Sequence, residues 1–75
     1  MTKEHFLNST KFSSKEIATL IHIIMKREGR IRILSVEEIL ADSKIYPDML
    51  YDWTAYAKEW FLDKELTDEE KRLFV

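Results

Sequence analysis

Two imidazoles, His5 and His22, are the only side chains in the 75-residue sequence suited to both proton transfer at neutral pH and transition-metal binding. Neither has a second histidine one helical turn away, as a helical zinc pair requires. His22 also sits in sequence between Lys15 and Lys26, whose charge opposes a cation, so it is expected to be a solvated surface group. There is no cysteine to supply a thiolate ligand, a nucleophile or a disulfide. Gly29 is the single glycine, so a phosphate-cradling loop or a dinucleotide fingerprint cannot be built. The hydroxyls that a base could activate, Ser13, Ser14, Ser35 and Thr67, lie where helices are expected to begin, and capping accounts for them. Carboxylates are abundant, but paired acid–base work needs a cleft that moves two pKa values apart. No catalytic residue, metal ligand or cofactor is therefore expected, and the chain is not expected to be an enzyme.

Chemistry of a different kind is written in the charge distribution. Residues 1–34 hold seven Lys and Arg against three Glu, a balance of +4, whereas residues 35–75 hold five basic groups against eleven carboxylates, a balance of −6. The net value of −2 conceals this split. On a helical wheel at 100° per residue, Asp48, Asp52, Glu59 and Asp63 fall within a sector of about 60°. They predict an acidic ridge. Lys15 and Lys26 form a basic face on an earlier helix, continued by Arg27, Arg30 and Arg32 around its end. Tyr51, Ala55 and Leu62 fall outside the main apolar arc of the helix that carries the acids, and Ile23 falls outside that of the first helix. If exposed, they form an apolar patch of the kind that marks an interface, with Tyr51 and Leu62 its largest members. Each of these faces also has a plainer reading, as ordinary solvated surface or as a wide flank buried by neighbouring helices.

The elements that must position these faces are helical. Ser13-x-x-Glu16, Ser35-x-x-Glu38 and Thr67-x-x-Glu70 each match the capping box, in which a hydroxyl accepts from the N3 amide and the N3 carboxylate accepts from the cap amide. Phe12 with Ile17, and Leu34 with Ile39, add hydrophobic-staple spacing to the first two starts. Helices are expected at about 14–28, 36–43, 47–64 and 68–74. Gly29 stands at the left-handed position that ends the first. Pro47 stands at the first turn of the third, where its missing N–H costs nothing. Met49, Leu50, Trp53, Tyr56, Ala57, Trp60 and Phe61 are expected to form the buried arc of that third helix. Residues 30–34 alternate as a strand would, but a lone strand cannot satisfy its backbone, so they read as an extended connector. Pairing of this segment across a two-fold axis, giving a homodimer, is the alternative.

The expected fold class is thus all-α, a small three- to four-helix bundle forming a single domain over 1–75, with 1–11 as a loose N-terminal arm. No apolar stretch follows a basic start, and Leu20 to Met25 is too short to span a bilayer, so no membrane association and a cytoplasmic location are expected.

The run Ser35-Val36-Glu37-Glu38-Ile39-Leu40-Ala41-Asp42-Ser43-Lys44-Ile45-Tyr46-Pro47-Asp48-Met49-Leu50-Tyr51-Asp52-Trp53 resembles the helix-turn-helix of bacterial and phage regulators. That resemblance implies a DNA-binding regulator with Ala41 as the small residue, 43–46 as the turn and Asp48 onward as the recognition helix. The turn has no glycine, however, and the would-be recognition helix presents Asp48, Asp52 and Glu59 where phosphate contacts favour basic groups. Nucleic acid is therefore expected, if at all, on the basic first-helix face. Phe12 to Gly29 together with Ile45-Tyr46-Pro47 is similar to the small immunity proteins of nuclease bacteriocins, which implies inhibition of a basic protein through acidic helices. The reading that follows is a non-enzymatic interaction or regulatory module whose partner is a protein.

Overall fold

The computed structural model describes residues 12–74, and the expected N-terminal arm lies outside them. Four α-helices follow in order: α1 (Ser14–Glu28), α2 (Val36–Ile45), α3 (Asp48–Trp60) and the single turn α4 (Asp68–Lys71), which continues as a 3-10 turn over Arg72–Phe74. No strand occurs among the described residues, and the fold is a small all-α bundle.

Each of the three expected capping boxes forms in full. Ser13, Ser35 and Thr67 hold extended backbone, and their hydroxyls accept from the amides of Glu16, Glu38 and Glu70 at 3.1 Å. The three carboxylates accept in return from the cap amides, at 3.0, 3.1 and 2.8 Å. At the other end of α1, Gly29 adopts φ 67°, ψ 37°. Its amide donates to the Lys26 carbonyl and that of Arg30 to the Met25 carbonyl, both at 3.2 Å, the paired closure of a Schellman end. The chain is then free to reverse through 30–34, which takes no ladder hydrogen bonds and serves as a connector.

Packing is organised around α1, which contacts α2, α3 and the C-terminal turn. Ile17, Ala18, Thr19, Leu20, Ile21, Ile23, Ile24 and Met25 are all buried. This corrects two expectations. Ile23, expected outside the apolar arc, is only 2% exposed. Thr19, expected on the polar side of the helix with Lys15, His22 and Lys26, is buried and His22 is partly buried, while Lys15 and Lys26 are exposed. On the Ile23 side the C-terminal segment comes up to the helix, where Thr67, Glu70 and Leu73 line one groove together with His22, Ile23 and Arg27. Thr19 tolerates burial because its hydroxyl donates to the Lys15 carbonyl at 2.8 Å.

α2 extends two residues beyond the expected 43. Only Tyr46, directly before Pro47, is forced from helical geometry, at φ −122°, ψ 81°. α3 ends earlier than expected, at Trp60 rather than 64. Phe61 leaves the helix at φ −85°, ψ 2°, and the turn that follows returns Leu66 to the core beside Phe61. The expected aromatic arc of α3 is only partly buried. Ala57 is the one fully buried residue within the helix, while Met49, Leu50, Trp53 and Trp60 pack partly buried against the core and Tyr56 is exposed.

Candidate functional site

α3 lies across α1, so its two flanks meet opposite ends of that helix. On one flank Leu50, Tyr51, Thr54, Ala55 and Lys58 face Phe12, Ser14 and Ile17, enclosing an open groove of about 480 Å³. On the other, Trp53, Tyr56 and Trp60 receive the end of α1 and the residues after it. Arg30 lies 5.1 Å from the Trp53 ring centroid and Arg27 5.5 Å from that of Trp60. Asp48, Asp52 and Glu59 are all exposed, and Asp52 borders the flank of Trp53 and Tyr56.

The fate of the charged residues divides sharply. Among the described residues no ion pair engages Asp48, Asp52 or Glu59. Asp63, expected as the fourth member of the ridge, lies beyond the end of α3 in the following turn and pairs with Lys64 at 3.2 Å. The ridge is therefore three residues long. Of the residues expected in the apolar patch, Tyr51 is 78% and Leu62 67% exposed, and Ala55 is exposed as well. Tyr51 and Ala55 lie on α3 itself; Leu62 follows its end.

Two members of the expected basic face are engaged within the chain. Arg27 is turned onto the C-terminal segment: its Nε donates to Glu70 at 2.8 Å, its terminal nitrogen donates to the other oxygen of Glu70, and the same nitrogen donates to the Glu65 carbonyl at 2.6 Å. This guanidinium holds the Glu70 carboxyl below the usual carboxylate range, and the carboxylate in turn raises the pKa of Arg27. Arg30 Nε donates to Glu28 at 3.0 Å. Glu28 also accepts from the Tyr56 hydroxyl, which depresses its pKa and raises that of Tyr56. Arg32 approaches Glu38 at 3.9 Å and is otherwise exposed. Glu38 is held low chiefly by its hydrogen bonds from Ser35 in the capping box. Lys15 and Lys26 remain exposed. The sequence placed all five cations on one surface; the fold consumes Arg27 and Arg30 as internal fasteners.

His22 corrects the expectation of a solvated imidazole. It is partly buried, and its Nδ1 lies 2.8 Å from the Leu34 carbonyl. A carbonyl can only accept, so Nδ1 carries the proton and fixes the start of α2 against α1. Spacing alone gave no sign of this contact, because twelve residues and a reversal of the chain separate its partners.

No group of three or more His, Asp or Glu side chains able to hold a metal ion occurs among the described residues. No helix there is long and apolar enough to cross a membrane. No known protein family, characterised protein or solved structure matches the chain.

Proposed function

We propose that the chain is a non-enzymatic interaction module that docks a basic segment of another protein on the outward face of α3. The observation that carries this reading is the set of three carboxylates, Asp48, Asp52 and Glu59, left without internal counterions beside exposed Tyr51 and Ala55. Other charges of the fold are spent within it, as Arg27–Glu70 and Arg30–Glu28 illustrate. Asp48 gains from the positive N-terminal end of the helix, but Asp52 and Glu59 lie beyond its first turn, and the three like charges repel. Opposite an incoming cationic surface they speed and orient association. The apolar residues beside them supply the area that charge alone lacks.

An inhibitor of a basic protein is a specific form of this function, and it agrees with the immunity-protein likeness. A helix-turn-helix role is disfavoured by the same carboxylates, which lie where the recognition helix meets phosphate. The test is affinity capture by the immobilised chain and by its Asp52→Lys/Glu59→Lys variant, at low and high salt. Partners retained by the first, lost by the second and released by salt are expected. Recovery of the same partners by both forms overturns the reading. Salt-sensitive binding of duplex DNA, abolished by Lys15→Ala/Lys26→Ala, transfers it to nucleic acid.

A further inference from the structure

Trp53 and Tyr56, three residues apart on α3, stand edge to face with ring centroids 5.3 Å apart and planes at 89°. The Arg30 guanidinium lies 5.1 Å from the Trp53 centroid. One oxygen of Glu28 accepts from Arg30 and the other from the Tyr56 hydroxyl, so both are occupied and Arg30 is neutralised where it lies. Beside this assembly an open pocket of about 250 Å³ is lined by Arg30, Asp52, Trp53 and Tyr56. At roughly 30 Å³ per water, that volume admits the end of one long side chain. Asp52 is the remaining wall, exposed and in no ion pair. Counting Glu28 and Asp52 against Arg30, the pocket and its support carry one negative charge in excess.

We propose that this pocket receives an arginine side chain of the basic partner, with Asp52 as its counterion and Trp53 and Tyr56 as its aromatic wall. The proposal rests on the docking reading above and names one of its anchor points. Arg30 already places a guanidinium against the Trp53 ring, which is direct geometric precedent within the chain. A planar guanidinium both stacks on an aromatic ring and pairs bidentately with a carboxylate, whereas an ammonium does only the first of these in part. The next residue along, Ile31, is completely exposed at 108% and offers apolar surface to whatever flanks the incoming arginine.

The experiment is a titration of the full chain with hexa-arginine peptide, followed by the indole N–H signals of Trp53 and Trp60, with hexaglutamate as control. A saturable shift of the Trp53 signal, and not of Trp60, is expected. Asp52→Asn should weaken binding about tenfold, as befits loss of a charge-assisted hydrogen bond. Asp48→Asn removes the same charge from the same face outside the pocket and should weaken it only about two- to threefold. Peptide binding that leaves the Trp53 signal in place, or equal effects of the two substitutions, overturns the pocket while leaving the acidic docking face standing. Absence of peptide binding at millimolar concentration also overturns it, and charge-dependent capture of a partner then separates that failure from failure of the docking reading.

Discussion

α1 and α3 are of similar length and carry comparable numbers of apolar residues, yet the fold uses them differently. In α1 eight residues are buried; in α3 only Ala57 is. α1 is enclosed by α2, by α3 and by the C-terminal turn, whereas α3 touches its neighbours along one side and at its two flanks. Aliphatic residues fill α1, and their burial is what the fold depends on. Aromatic residues on α3 are amphipathic: they cover the core with one part of the ring and keep another part at the surface. One helix holds the molecule together, and the other presents a surface.

The largest effect that can break this contrast is a cavity in α1. Ile24 is 0% exposed, and Ile24→Ala should lower the unfolding free energy by about 2–5 kcal/mol in urea titration. Tyr51→Ala on α3 should change it by no more than about 0.5 kcal/mol. Equal losses would mean that α3 is as structural as α1. Next comes the small residue where α3 meets the core. Ala57→Leu must displace neighbours in a filled interior and should cost about 1–3 kcal/mol, read in the same assay. A neutral outcome would show that α3 is loosely seated.

A similar loss, about 1–2 kcal/mol, is expected of Gly29→Ala. Its added methyl has nothing within 4 Å to strike, so the loss reports the left-handed backbone alone. The smallest effect is pH-dependent. Glu70 and Glu28 have depressed folded-state pKa values, so their contribution is fully present above the unfolded carboxylate value near 4.3 and is lost as pH falls through the folded values. Glu70→Gln should cost about 1 kcal/mol at pH 7 and flatten the decline of stability below about pH 4.3. A variant whose acid profile parallels that of the unaltered chain would remove the Arg27–Glu70 fastening from the description.

Much of this contrast was legible in the residues. The three capping boxes and Gly29 fixed where helices start and where α1 ends, because those signals are local and hydrogen bonds within a few residues decide them. The class of the fold followed from them. What periodicity missed was long-range. Ile23 shares a groove with a C-terminal segment more than forty residues away, and the same segment captures Arg27 through Glu70. A helical wheel treats each helix as having one narrow inner side, and α1 buries eight of its fifteen residues. The early end of α3 was hidden for a related reason, since the demand comes from Leu66, beyond any signal in the helix. The acidic ridge was legible as far as Glu59, and Asp63 was misplaced only because the helix was drawn too long.

The docking role of α3 is tested most directly by mapping amide chemical shifts of the labelled chain as a captured partner is added. The shifts are expected to cluster over residues 48–59 and the adjoining Arg30–Ile31 segment, with the amides of α1 from Ile17 to Met25 nearly unmoved. Shifts concentrated instead around Lys15 and Lys26, with α3 silent, would contradict it.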